Sequence, residues 1–299
     1  MATTSASLTG LLAPDLRKVY IEVGKDWPLE YPLVMNTPEM EWNPITDRNV
    51  SGLGVMPTKP EGTRFTLDDI LMGSTKTYLS EAYGMAVEIT FEAWRDELYG
   101  VLQEMVRCLG RSSRHRLEYD AFQTLNFAFS TARVGFAAGE SLCSIAHVGM
   151  DGITRANRPN PDEAFGVTSL QDAMIRFELM TDERNMPRLM APQMLLLAPQ
   201  NKWAAREILG SAGKPYQTSN EINSLVAEDL TWMIGHYLTS TSAWWLLCGK
   251  GIHDLNFFVR TEPIFDMYDD PSTKNGVCNV YQSHVGGFGA WRGVDGSTG

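Results

Sequence analysis

"FEAWRDELYGVLQEMVRCLGRSSRHRLEYDAFQTLNF", Phe91 to Phe127, is the stretch that decides the architecture. Its apolar residues Phe91, Trp94, Leu98, Val101, Leu102, Met105, Cys108 and Leu109 recur with the 3.6-residue period of a helix that buries one face. Thr90 stands before them as an N-cap, with Glu92 in the first turn. The stripe thins at "GRSSRHR" and resumes at Leu117, Tyr119, Phe122, Leu125 and Phe127. We therefore read one helix of roughly 50 Å at 1.5 Å per residue, with Gly110 as the place for a bend. Such a helix is the spine of its domain.

Upstream, prolines at 14, 28, 32, 38 and 44 argue against a long helix, so residues to about Ile45 are expected to form an extended arm. Val19, Tyr20, Ile21, Trp27, Tyr31 and Leu33 are too apolar for a free tail, so the arm must lie on its own subunit or a neighbour. Between the arm and the spine, β-type segments near Arg64–Ile70 and Thr77–Thr90 flank "MGSTK", which has hairpin chemistry. Tyr78, Glu81, Tyr83, Met85, Val87 and Ile89 alternate only partly, as in a hairpin that projects with little core beneath it.

Downstream the chain is mixed α/β. Thr168 and Gln171 form a capping box for a helix carrying Leu170, Met174, Phe177 and Leu179. "QMLLLAP" is a buried strand, followed by a helix from about Lys202 to Leu209. "DLTWMIG", "SAWWLLCG", "LNFFVR", "PIFDMYD" and "GVCNVYQSHVGGFGAW" read as further β pieces. The glycine-rich "GGFGAWRGVDGSTG" fits neither a dinucleotide fingerprint nor a Walker loop and reads as a strand end and tail.

The 299 residues are 43% hydrophobic, enough for a sizeable core, and carry a formal charge of -11, which disfavours sequence-specific nucleic-acid binding. Four cysteines lack CxxC spacing and no secretory leader opens the chain, which fits a reducing cytoplasm. The apolar runs are far shorter than the ~18 residues of a membrane helix.

"SLCSIAHVGM", Ser141 to Met150, holds the one pairing of a thiol and an imidazole. In an extended segment Cys143 and His147 would stand about 13 Å apart at ~3.3 Å per residue, too far for a nucleophile and its base. Packing is the expected role, and a thiol hydrolase using Cys143 is the alternative from another functional class. His115, His236, His253 and His284 stand in unlike contexts without metal-ligand spacing. "RSSRHR", Arg111 to Arg116, could meet phosphate, but a polar helix face pairing with Glu118 and Asp120 is the preferred reading. No catalytic, cofactor-binding or metal-binding residue is assigned.

The order of arm, hairpin, spine helix, α/β insert and returning strand resembles the tailed-phage major capsid proteins of the Hong Kong 97-type fold. "DLRKVYIEVGKDWPLEYPLVMNT", "GSTKTYLSEAYGMAVEIT", "DELYGVLQEMVRCLGRSSRH", "LCSIAHV", "MAPQMLLLAP" and "AWRGVDGSTG" are similar to segments of the Mu-like major head subunits. The resemblance implies an α+β fold with an N-terminal arm at 1–48, an E-loop at 49–90, a P-domain at 91–140 and 258–299, and an A-domain at 141–257. It also implies a non-enzymatic shell subunit that assembles into pentamers and hexamers in the host cytoplasm and ends in the virion. Its expected partners are scaffolding, portal and possible decoration proteins and non-specifically packaged double-stranded DNA, with no membrane and no cofactor. An encapsulin-like compartment shell is the alternative within this fold. The arm motif begins almost at once, so no processing of a preceding segment is expected. Some relatives join an E-loop lysine to a neighbour's asparagine. Lys76 with Asn275 or Asn279 could be cast in those roles, but the motif does not carry over and no cross-link is expected.

Overall fold

The computed structural model describes residues 8–90, 92, 99–136, 139–211, 213, 222–273 and 275–299. The helices are α1 (Leu8–Asp26), the single turn α2 (Tyr31–Val34), α3 (Tyr99–Asn126), α4 (Val167–Glu178) and α5 (Lys202–Gly210). The strands in the first part of the chain are β1 (Ile45–Val50), β2 (Met72–Tyr78), β3 (Glu81–Ile89), β4 (His147–Val148) and β5 (Thr154–Arg155). Those in the remainder are β6 (Pro192–Leu197), β7 (Thr231–Ile234), β8 (Trp244–Cys248), β9 (Leu255–Asp269), β10 (Gly276–Phe288) and β11 (Val294–Ser297). They form two compact units, one from Met1–Pro44, Leu79–Ala121 and Phe257–Gly286, the other from Ile45–Tyr78, Phe122–Asn256 and Gly287–Gly299.

In the first unit a three-stranded sheet of order β3-β10-β9 carries the spine helix. Leu16 and Val19 of α1 pack with Leu102, Val106 and Leu109 of α3 and with Phe265, Cys278 and Val280 of the sheet. A methyl group at Gly110 would come within 3.3 Å of Tyr20 and Val23, so this glycine permits the close approach of α1. The expected spine helix is present as α3, but Phe91 and Ala93–Leu98 lie outside the described residues. Within the stripe, Leu102, Leu109, Leu117, Phe122 and Leu125 are buried while Val101, Met105, Tyr119 and Phe127 are exposed.

The expected extended arm is instead helical over Leu8–Asp26. Four of the five prolines fall after Asp26 and do not oppose it. Leu16, Val19 and Val23, three and four residues apart, form the buried face of a helix. Extended backbone appears later, where Met40 donates its N–H to the Val259 carbonyl (3.3 Å) and Phe257 donates to Asn36 (2.8 Å).

In the second unit β1 pairs antiparallel with β2, from Ile45 opposite Tyr78 to Arg48 opposite Thr75. "MGSTK" is therefore strand, not turn. Its glycine serves packing, since a Cβ at Gly73 would lie 3.0 Å from Met150 Sδ. The connection is the irregular segment 51–71, and the next strand, β3, pairs with β10.

The larger sheet of this unit has the order β11-β8-β6-β7, with β6 and β7 parallel and the other neighbours antiparallel. "MLLL" sits inside it, and Leu195, Leu197, Trp244 and Leu246 bury against Leu170, Phe177, Ala205 and Ile208 of α4 and α5. The capping box is absent. Gly166 occupies the N-cap position, Thr168 is already inside the helix, and Ser169 Oγ donates to the Ala164 carbonyl at 2.8 Å. The expected terminal tail is a buried edge strand, β11, all four of whose residues are buried.

Candidate functional site

His147 is buried, with Nδ1 3.0 Å from Glu140 Oε2 and Nε2 2.9 Å from Asn157 Oδ1. Its ring stacks on Trp291, 4.3 Å between centroids and 5° from parallel. Both ring nitrogens are engaged, so neither serves the Cys143 thiol. Burial pulls the imidazole pKa below its usual value against the two hydrogen bonds that favour the charged ring. Cys143 is fully buried, its N–H donates to Ala128, and a methyl at Gly296 would lie 3.0 Å from its sulfur. Burial, reinforced by Asp295, pushes the thiol pKa well above normal, the opposite of an activated nucleophile. The pair thus supplies packing and hydrogen bonds that seat the segment after the spine.

Asn157 completes that seat. Its Nδ2 donates to the carbonyls of Leu142 (2.8 Å) and Val294 (2.9 Å), tying β11 to the same segment. Beside it Arg176 grips Asp295 with two bonds of 2.6 and 2.7 Å. Burial nevertheless raises the Asp295 pKa to about 6. Arg292 donates to Glu183 at 2.6 Å and to the Thr181 carbonyl at 2.7 Å. These groups were not singled out from the sequence, where each is an ordinary charge in a polar context.

The arginines of the basic cluster are engaged within the subunit. Arg111 meets Glu104 at 3.3 Å, Arg116 meets Asp120 at 2.8 Å, and Arg114 donates to the Trp27 carbonyl at 2.8 Å. The pairing with Asp120 is as expected. Glu118 turns instead to the arm and accepts the N–H groups of Glu30 and Tyr31, capping α2. Burial lifts its pKa to about 7. Among the described residues no group of three or more His, Cys, Asp and Glu side chains could hold a metal ion, and no helix is long and apolar enough to cross a membrane.

The feature left exposed is apolar. In the loop 51–71, Val55, Met56, Phe65 and Leu67 are 79%, 92%, 81% and 93% exposed. In the first unit Met85, Val87, Val101, Met105, Cys108 and Leu109 line an open cleft between β3 and α3. Lys76, at the base of the loop, donates to the Val134 carbonyl at 2.6 Å, and burial lowers its pKa.

A profile of the family described as phage capsid protein matches residues 74–294. The chain belongs to the phage capsid protein family. It is a major capsid protein, a structural subunit of a bacteriophage shell. No curated protein sequence matches it. Solved structures share its fold at low identity. A virus-like particle from Pyrococcus furiosus aligns over 94% of this chain and 97% of its own, with TM-score 0.56 and 8% identity. The capsid of cyanophage P-SCSP1u aligns over 90% and 87%, with TM-score 0.55 and 10% identity. The procapsid subunit of bacteriophage JBD30 aligns over 99% and 76%, with TM-score 0.50 and 15% identity. The Hong Kong 97-type α+β fold expected from the order of elements is the fold of this capsid protein.

Proposed function

We propose that this capsid protein builds the head of a tailed double-stranded DNA phage of the Mu-like kind, closing into a shell through pentamers and hexamers. The observation that carries the reading is the loop 51–71, whose apolar side chains have no covering within the described subunit. Burying such side chains on a neighbour yields about 25 cal/mol per Å² of apolar surface, and many modest contacts of this kind close by symmetry. In this reading 1–48 is the arm, 49–90 the E-loop, 91–140 with 258–299 the P-domain, and 141–257 the A-domain. Scaffolding and portal proteins, and in some heads decoration proteins, are its partners during assembly in the host cytoplasm. Packaged DNA is held without sequence preference, in keeping with the acidic composition and the paired state of Arg111, Arg114 and Arg116.

The role is structural rather than enzymatic. Its support is the engagement of both His147 nitrogens and the raised thiol pKa of Cys143. The bond from Lys76 to Val134 and the 2.6 Å bond from Asn275 to Glu88 Oε1 support the expectation of no intersubunit cross-link. Expression alone and with a scaffold, followed by size exclusion and electron microscopy, tests the proposal. Shells, tubes or capsomers are expected, and a monomer that persists at every salt and protein concentration would refute it.

A further inference from the structure

The loop 51–71 has no regular structure, yet it does not leave the subunit as a free chain. Its neck is closed by two bonds of 2.9 Å, Ser51 N–H to the Leu71 carbonyl and Leu71 N–H to Ser51 Oγ. Higher up, Asp68 Oδ2 accepts the Gly54 N–H at 2.7 Å and joins the two limbs. Arg184 then holds this junction from outside, its Nη2 donating to the Asp69 carbonyl at 2.6 Å and to Asp68 Oδ1 at 3.3 Å.

The mount of that arginine is rigid. Asp182 Oδ1 accepts the N–H groups of Arg184 and Met186, each at 2.8 Å, and Arg188 donates back to Met180. The preceding residue, Glu183, is buried and accepts from Arg292 at 2.6 Å and from Met150 N–H at 2.9 Å. It also accepts from Asn49, on the other limb, at 3.3 Å. Two consecutive residues therefore hold the two limbs, Glu183 from within the subunit core and Arg184 at the surface. Beyond the junction the described contacts of the tip are local, namely Thr63 with Pro60 and Lys59 over the Phe65 ring.

We propose that Arg184 is a positioning residue for assembly, a clasp that fixes the direction in which the loop leaves the subunit so that its apolar tip meets a second copy already oriented. The proposal rests on the reading of this loop as an intersubunit contact. Its physical basis is entropy. A loop ordered before docking loses less freedom at the interface, so the same apolar contact gives more net affinity. The Gly54 amide, helped by Arg184, keeps the Asp68 carboxyl below the usual carboxylate range, so the clasp stays charged at ordinary pH. Being partly exposed, it should weaken with salt.

The test uses the full chain with Arg184→Ala, Arg184→Lys and, from the loop side, Asp68→Asn. In unassembled protein, hydrogen exchange of amides 52–70 should rise by roughly two- to five-fold in Arg184→Ala, the range a partly exposed ion pair supports, while β6 and α4 keep their protection. The concentration at which particles appear should rise by a similar factor. Asp68→Asn should reproduce both effects without touching the mount, and Arg184→Lys, which keeps the charge but not the planar, directed guanidinium, should fall between. Unchanged loop exchange in both Arg184→Ala and Asp68→Asn, with wild-type particles intact, would overturn the clasp alone. A chain lacking residues 52–70 that still formed normal shells would overturn the reading of the loop, and the clasp with it.

Discussion

Replacing Glu118 by Gln tests the account of the arm most directly. The carboxyl is fully buried, and burial is the chief cause that raises its pKa from 4.5 to about 7. The amides of Glu30 and Tyr31 pull it back, Glu30 adds to the rise, and Arg114 opposes it. At 1.36 kcal/mol per pKa unit, the span from 4.5 to about 7 amounts to about 3 kcal/mol. Because the folded protein binds this proton more tightly than the unfolded chain, the stabilisation is complete below pH 4.5. It is lost as pH rises to about 7, and nothing further changes above that. Glutamine keeps an acceptor for the two amides but cannot ionise. The stability of wild type minus that of Glu118→Gln should therefore fall by about 3 kcal/mol between pH 4.5 and pH 8. Asp254 and Asp295, also raised by burial, contribute equally to both proteins and cancel in the subtraction. Urea unfolding of unassembled protein at the two pH values measures it. Parallel pH dependence in the two proteins would refute the buried, proton-holding clamp on the arm.

Other expectations follow from the same contacts. Thiol reagents should label exposed Cys108 in unassembled protein while Cys143 reacts only on unfolding, and Cys143→Ser should cost ~1 kcal/mol in unfolding free energy. Arg176→Ala leaves the Asp295 carboxylate buried without its partner and should cost roughly 3–5 kcal/mol, read by denaturant unfolding, with Asp295→Asn milder. Gly110→Leu should overpack the contact with Tyr20 and Val23 and destabilise by about 1–3 kcal/mol, seen as a lower melting temperature. Deleting residues 52–70 should leave the circular dichroism spectrum near normal and abolish closed particles in electron micrographs.

The sequence was most legible where a period and a length agreed. The spine helix announced itself through the stripe from Val101 to Leu125, and "MLLL" through an apolar run of strand length. It was least legible where a residue's role depends on partners far along the chain. Gly73 looks like a turn residue until Met150 is seen above it. The prolines dominate the reading of the arm and hide the helical face on which Leu16 and Val19 meet α3. "VDGS" has no strand composition, and its place at a sheet edge comes from Asp295 meeting Arg176, 119 residues earlier. Packing was the role expected of Cys143 and His147 from their spacing, but the contacts of His147 with Asn157 and Trp291 could not be read from it. The projecting element was expected as a hairpin of Arg64–Ile70 and Thr77–Thr90 turned at "MGSTK", whereas the exposed loop is 51–71, and nothing local marks Arg184 as the partner of Asp68.

The division into two compact units has a consequence for how the chain reaches its native state. Neither unit is a continuous stretch, and the backbone passes from one to the other five times, at about residues 44, 78, 121, 256 and 286. The strand pairing of β3 with β10 joins Met85 to Val280, so the smaller sheet cannot form until most of the chain has been synthesised. β11 adds to the larger sheet later still. Contacts of such long sequence separation make folding slow. During that delay the exposed apolar loop coexists with unpaired strand edges, the condition in which chains aggregate. Proteolytic fragments cut between about residues 45 and 286 lack part of both units and should likewise fail to fold alone, and neither unit of a nascent subunit is complete before residue 286.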